Sequence, residues 1–149
     1  GVLWDVGAGS GSVAIESARL APGLRVFAVE RNAEDCARLR ANEREAGIGG
    51  ALRVQVVEGE APAALADLPD PDRVFVGGGG VAVLDAVLDR LRPGGVIVAT
   101  YATLPTATVA AERLGQLIQV QVNRGVPIGP DEHLRLAAEN PVFVCWGPS

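Results

Sequence analysis

Hydrophobic residues along this chain form short runs that alternate with stretches of helical periodicity. The runs predict strands at 1–6, 25–29, 52–57, 73–76 and 96–101. Between them, apolar residues at intervals of three and four predict helices at 12–20, 33–46 and 81–91, with a short helical turn at 62–68. A helix at 105–114 and two further strands at 117–123 and 141–146 complete the pattern.

Alternation of strands and helices is typical of a parallel sheet covered by helices on both faces. The sequence therefore predicts a doubly wound α/β fold with a mostly parallel, seven-stranded sheet, and we expect its last strand to run antiparallel. Residues 124–140 fit less well. Pro127, Gly129 and Pro130 favour a loop there, whereas 132–138 could form one or two helical turns.

The chain has 149 residues, of which 48% are hydrophobic, so it can bury a core without disulfides or metals. We expect one domain over 1–149. Because the sequence opens inside an apolar run at Gly1, we also expect this domain to be the C-terminal part of a longer chain and to lack its N-terminal lead-in. The strand pair 117–123 and 141–146 leaves room for an oligomeric interface.

Charge and composition exclude several classes of function. A net charge of −5 argues against a protein that binds nucleic-acid phosphates or an anionic membrane surface. No apolar run reaches the roughly 20 residues of a membrane helix, and no signal peptide opens the chain, so we expect a cytoplasmic protein. Cys36, Cys145 and the single His133 form no metal-ligand spacing, and we expect two reduced thiols and no metal.

A glycine-rich turn follows the first strand, where residues 5–11 read DVGAGSG. Glycines at alternate positions let the backbone turn sharply and approach a ligand closely. A dinucleotide fingerprint would place its third glycine at Ser12, one residue later than Gly11. Asp5 would repel a pyrophosphate, but it can accept hydrogen bonds from the ammonium group of S-adenosylmethionine, directly or through water.

Acidic residues also follow the next two strands. Glu30 closes the second strand, where a carboxylate can bind both hydroxyls of a ribose. Glu60 lies in the turn after the third, where methyltransferases of this architecture contact adenine. Each feature alone has a plainer explanation, namely a tight turn, a solvated acid and an acid favoured by a helix dipole. Together, the three strand ends favour an S-adenosylmethionine site.

Four consecutive glycines, Gly77, Gly78, Gly79 and Gly80, follow the fourth strand. Such a run is costly to order and leaves bare backbone amides and carbonyls. A flat, bulky or anionic substrate could lie against it. Methyltransferases that act on nucleic-acid amines carry Asn or Asp followed by two prolines here, and this chain does not.

Three segments carry a family resemblance: LWDVGAGSGSVAIE at 3–16, VFVGGGG at 74–80 and NPVF at 140–143. They resemble the precorrin methyltransferases of cobalamin biosynthesis, and most of all the decarboxylating precorrin-6Y methyltransferases that act at carbon 15. The resemblance runs from residue 1 to about 147. It implies a class I S-adenosylmethionine-dependent methyltransferase fold and a tetrapyrrole (precorrin) substrate. It also implies methyl transfer to a ring carbon, coupled to decarboxylation of the ring C acetate. Finally, it implies that the protein is a homo-oligomer, namely a tetramer.

The resemblance also implies the positions of ligand contacts. Arg31 is a further candidate for a cofactor or substrate contact, and Tyr101 and Arg124 are candidates for substrate contacts. Tyr101 stands where the family has an Asn. No catalytic residue is assigned, because an enamine-like ring carbon can attack the sulfonium itself. The cofactor positions implied by the resemblance are Gly7, Ala8, Gly9, Ser10, Gly11, Glu30 and Ala61.

Other functions remain open on the sequence. A nicotinamide-dependent oxidoreductase would also use a glycine turn and Glu30, although it would want the later third glycine. Another S-adenosylmethionine enzyme, acting on a protein or a small molecule, would share the whole cofactor motif. A degenerate fold could serve only as a binding or assembly module. The domain could be free-standing or fused to a domain that methylates carbon 5, and the missing lead-in before the first strand fits the fused arrangement.

Overall fold

The computed structural model of the protein describes residues 1–47, 53–129 and 133–148. Nine strands, four α-helices and one short 3-10 helix lie in these ranges. In chain order they are β1 Val2–Val6, α1 Ser12–Leu20, β2 Arg25–Glu30, α2 Ala33–Glu45, β3 Val54–Glu58, the 3-10 helix Ala63–Leu65, β4 Arg73–Val76, α3 Gly80–Leu88, β5 Val96–Tyr101, α4 Leu104–Leu114, β6 Gln116–Val120, β7 Asn123–Ile128, β8 His133–Ala138 and β9 Val142–Pro148.

Seven strands form one sheet in the order β3-β2-β1-β4-β5-β9-β6. Strands β1 to β5 run parallel to one another, whereas β9 runs antiparallel to both β5 and β6. The predicted doubly wound sheet with an antiparallel last strand is confirmed. Strand order reverses between β1 and β4, and ligands of open α/β sheets bind at the carboxyl edge near such a reversal.

Alternate residues of β1 serve two hydrophobic layers, as the period of a strand requires. Trp4 and Val6 are buried against α3 and α4, together with Leu84. Leu3 faces the other way and packs with Leu39 and with the apolar residues of α1. The sheet is therefore covered on both faces, which fixes the loops that leave its carboxyl edge.

The helices start and end for local reasons. Helix α2 begins after Asn32, whose side chain accepts hydrogen bonds from the amides of Glu34 and Asp35, as the sequence predicted. Helix α4 carries Pro105 in its first turn and ends at Leu114, followed by the capping residue Gly115 with φ 91°. The first residue of the predicted third strand, 52, lies outside the described residues, as do Pro130 and residue 132 of the predicted loop or helical turns.

One region contradicts the prediction from sequence. Residues 124–140 were expected to form a loop or helical turns, but β7 and β8 pair as an antiparallel hairpin separate from the main sheet. Pro127 is tolerated because both strands of a two-stranded ribbon are edge strands. Leu134 and Leu136 alternate along β8, a pattern of period two that is typical of a strand and not of a helix.

Candidate active site

A cavity of about 330 Å³ opens at the carboxyl edge, beside the reversal of strand order. Loops after four parallel strands contribute to its walls. Eight of the residues predicted from sequence line it: Gly7, Glu30, Arg31, Glu60, Ala61, Gly77, Gly78 and Gly79. The remaining lining residues are Val6, Val29, Gly59 and Val83.

The loop after β1 requires its glycines. Gly7, Gly9 and Gly11 have φ values of 78°, 54° and 85°, a left-handed conformation that L side chains rarely adopt. A Cβ on Gly11 would lie 2.5 Å from Leu39 Cγ, so helix α2 could not pack so closely against any larger residue. The loop is thus a turn of bare backbone pressed onto α2.

Glu30 joins this loop to the start of α2. Its Oε2 accepts a hydrogen bond from the amide of Gly9 at 2.9 Å, and its Oε1 accepts one from the amide of Asn32 at 2.9 Å. The carbonyl of Val29 accepts two more bonds from the loop amides of Gly7 and Ala8. Each carboxylate oxygen has a second acceptor site, so Glu30 can hold the loop and still bind a ligand in the cavity.

Asp5 lies beneath the loop and outside the cavity lining. It is 1% exposed, and its Oδ2 accepts a hydrogen bond from the amide of Ala14 at 2.9 Å. The residue before α1 is Gly11, which has no side chain to cap the helix, and the Asp5 carboxylate does this instead. Its Oδ1 is buried with no hydrogen-bond partner in the described part of the chain.

Burial raises the pKa of Asp5 to about 6, because water no longer solvates the ionised carboxylate. The bond from Ala14 opposes this rise, and the negative charge of Glu30 adds to it. The carboxyl group under the loop therefore loses its proton only as the pH approaches neutrality.

Arg31 and Glu60 form an ion pair at the mouth of the cavity, with Arg31 Nη1 3.2 Å from Glu60 Oε1. Both side chains are about three-quarters exposed. Pairs of this kind contribute little to stability, so both side chains can rearrange toward a ligand. Ala61 lies next to Glu60 in the wall.

The four glycines after β4 are not all required by the fold. A Cβ on Gly77 would lie 3.1 Å from the Gly7 carbonyl oxygen, and one on Gly79 would lie 2.5 Å from Val83 Cγ2. Gly79 and Gly80 also have φ values of 95° and 70°. At Gly78 neither reason applies: its φ is ordinary and a Cβ there would meet nothing within 4 Å. Neither backbone strain nor packing requires glycine at 78.

Two candidates for substrate contacts lie away from the cavity lining. Tyr101 is 6% exposed within the core, and burial raises the pKa of its hydroxyl to about 12. Arg124 lies on the hairpin and pairs with Glu139 at 2.7 Å. Gly80 and the loop residues 8–11 also stand outside the lining.

Sequence reasoning missed Asn42, whose Nδ2 donates a hydrogen bond to the Ser10 carbonyl at 3.0 Å. An Asn inside a helix is a weak signal of such a bond, since Asn is a poor helix former. Within the described ranges, no group of three or more His, Cys, Asp or Glu side chains could hold a metal ion. None of the helices placed there is long and apolar enough to cross a membrane.

Comparison with known proteins identifies a family. Residues 1–146 match the model of the precorrin methyltransferase domain. The chain is 42% identical over 134 residues to a precorrin-6Y C(5,15)-methyltransferase [decarboxylating] of a Sinorhizobium species, covering 86% of the chain and 32% of that relative. It is 40% identical over 154 residues to a probable cobalt-precorrin-6B C(15)-methyltransferase (decarboxylating) of Pyrobaculum calidifontis, covering 97% of the chain and 76% of that relative.

Solved structures agree. A precorrin-6Y C5,15-methyltransferase of Geobacter metallireducens superposes with a TM-score of 0.81 at 41% identity, covering 99% of this chain and 80% of that one. A more distant S-adenosylmethionine-dependent methyltransferase of Thiobacillus denitrificans, solved with S-adenosylhomocysteine, has a TM-score of 0.58 at 24% identity. It covers 74% of this chain and 47% of that one, and it shows the fold alone.

Proposed function

The chain belongs to the precorrin methyltransferase domain family, and from this premise we propose that it transfers a methyl group from S-adenosylmethionine to carbon 15 of a precorrin. The transfer is coupled to loss of carbon dioxide from the ring C acetate, a step of cobalamin biosynthesis. The observation that carries this proposal is the glycine-walled cavity beside the reversal of strand order, which Glu30 and the glycines after β4 line together.

The residues around the cavity fit this cofactor. Gly7 and Gly77 approach so closely that a Cβ on either would press on the other's backbone, and their bare backbone makes the floor. The Glu30 carboxylate accepts hydrogen bonds from the ribose hydroxyls. Loop residues 7–11 surround the amino-acid part, with Asp5 acting through the loop and α1, while Arg31, Glu60 and Ala61 surround adenine. The cofactor supplies a methyl group on a positively charged sulfur.

Positioning is the main contribution of this chain to catalysis. The ring carbon of the tetrapyrrole is itself the nucleophile, so no side chain needs to become one. A rigid loop and a side-chain-free wall at 77–79 hold the two reactants in line, and orientation of this kind is worth up to about 7–11 kcal/mol of the barrier. Substrate contacts from Gly80, Tyr101 and Arg124 stay predictions from the sequence.

Binding of two cofactor classes tests this proposal against its rival. Calorimetric titration with S-adenosylhomocysteine and, separately, with NADH requires only the purified chain. We expect binding of S-adenosylhomocysteine and none of NADH, since Ser12 replaces the third glycine of a dinucleotide turn. Binding of NADH alone would instead support an oxidoreductase.

Gly78 provides a test of the substrate wall. We expect Gly78→Ala to keep the fold and the affinity for S-adenosylhomocysteine, and to lower kcat/KM for the precorrin about tenfold, because the new methyl group enters space that a flat ring would occupy. The matched control is Gly23→Ala, at an exposed turn where a Cβ also meets nothing within 4 Å. Equal turnover by the two variants would remove Gly78 from the substrate site.

The hairpin supports the expectation of a homo-oligomer. Leu134 and Leu136 share one face of β8 and are 68% and 73% exposed. An isolated two-stranded ribbon is marginally stable in water, and exposed apolar surface of this kind is typical of an interface. We propose that this face packs against a second copy of the chain, giving the tetramer that the family resemblance implies.

Sedimentation velocity checks this prediction. We expect the wild-type chain to sediment as an oligomer and the double variant Leu134→Ser, Leu136→Ser to sediment as a smaller species. Leu20→Ser is the control, because Leu20 is 84% exposed on α1, outside the hairpin. A wild-type monomer would contradict the proposal.

We also propose that the protein is cytoplasmic and that residues 1–149 form one domain, the C-terminal part of a longer chain.

A further inference from the structure

Helix α2 and the segment that leads into it contact the glycine loop at three points. At its start, Glu30 accepts hydrogen bonds from Gly9 in the loop and from Asn32, the N-cap of the helix. In its middle, Leu39 packs directly on Gly11. One turn later, Asn42 donates a hydrogen bond to the Ser10 carbonyl. Leu39 and Asn42 are three residues apart and therefore lie on one face of the helix.

The bond from Asn42 fixes one peptide unit of the loop. That unit contains the Ser10 carbonyl, which accepts from Asn42 at 3.0 Å, and the Gly11 amide, which donates to the Ala8 carbonyl at 2.9 Å. Because a peptide unit is planar, these two bonds determine its orientation. In the ranges that the structure describes, the preceding unit, with the Gly9 carbonyl and the Ser10 amide, has no such partners, so its groups are free for a ligand.

We infer that Asn42 is a positioning residue for the cofactor loop: its amide holds the Ser10 carbonyl, so that the adjacent Gly9–Ser10 peptide meets the cofactor in a fixed orientation. This inference rests on the proposed function, in which the loop surrounds the amino-acid part of S-adenosylmethionine. Asn42 acts through the loop, and it does not line the main cavity.

Three variants separate positioning from general stability. Asn42→Asp keeps the shape of the side chain but replaces the donor by an acceptor that repels the Ser10 carbonyl. Asn42→Ala removes the bond and inserts a better helix former. Ala41→Asp is the matched control, since it adds the same negative charge on the same turn at an exposed position.

We expect Asn42→Asp and Asn42→Ala to raise the Kd for S-adenosylhomocysteine about 3- to 10-fold, the range for one hydrogen bond. The KM for S-adenosylmethionine rises in parallel while kcat changes little. The thermal midpoint of Asn42→Ala stays near that of the wild type, and Ala41→Asp binds as the wild type does.

Unchanged affinity in both Asn42 variants would overturn the inference. A loss of affinity only in proportion to the unfolded fraction, or an equal loss in Ala41→Asp, would do the same. Failure of the proposed function gives a different result, because the wild-type chain itself would then not bind S-adenosylhomocysteine.

Discussion

Replacing Glu30 by alanine is expected to weaken binding of S-adenosylhomocysteine about 100-fold or more. The variant loses the proposed contacts with two ribose hydroxyls, and a hydrogen bond to a charged group contributes about 1.5–3 kcal/mol. It also releases the amides of Gly9 and Asn32, which both donate to this carboxylate at 2.9 Å. Calorimetric titration measures the change directly.

Two further variants at the carboxyl ends of β2 and β3 serve as controls for that result. Glu30→Gln keeps one acceptor oxygen and is expected to show an intermediate affinity. Glu58→Gln removes an equal charge from the neighbouring strand, where Glu58 is the register partner of Glu30 and pairs with Arg40. It should bind normally. Unchanged affinity in Glu30→Ala would remove Glu30 from the cofactor site.

Asp5→Asn is expected to raise the free energy of unfolding by up to about 3 kcal/mol at pH 8. The pKa of Asp5 is about 6 in the folded chain and 3.8 as its ordinary value, and each pKa unit is worth about 1.4 kcal/mol. Because the folded pKa is the higher one, the ionised carboxylate destabilises the fold above pH 6, and this cost disappears as the pH falls through 6 toward 3.8. Asparagine retains an acceptor for the Ala14 amide and carries no charge, but its amide nitrogen takes the place of the partnerless Oδ1, which keeps the gain below that upper limit.

Denaturant titrations at several pH values check this prediction. The difference in stability between Asp5→Asn and the wild type should be largest above pH 6 and should shrink steadily on acidification. A difference that does not vary with pH would show that Asp5 is not the titrating group. The control variant is Asp67→Asn, which removes the same negative charge from an exposed position and should change stability little.

Local signals determined much of the fold. The apolar runs of β1 to β5, the Asn32 cap and the glycine turns are each decided by residues close in sequence, and the structure has them where they were predicted. The hairpin was not predicted, because β7 contains Gly125 and Pro127, two residue types that are depleted in strands. Both strands of the hairpin are largely exposed, so they lack the burial that imposes an alternation of hydrophobic and polar residues on a half-buried strand.

In the candidate site, too, some residues could be predicted from sequence and others could not. The glycines and acids of the cavity could be predicted from sequence, because they follow parallel strands, whose carboxyl ends all lie at the same edge of the sheet. What a buried side chain contacts depends on tertiary packing, which placed Asp5 beneath α1 and Tyr101 in the core. The bond from Asn42 to Ser10 joins residues 32 positions apart and could be seen only in three dimensions.

The central claim is tested most directly by the mass of the product. The purified chain is incubated with S-adenosylmethionine and either precorrin-6Y or cobalt-precorrin-6B, and the tetrapyrrole is examined by mass spectrometry. The account predicts a product that has gained one methyl group and lost carbon dioxide, in amounts equal to the S-adenosylhomocysteine formed. A tetrapyrrole left unchanged by a chain that binds S-adenosylhomocysteine would contradict it.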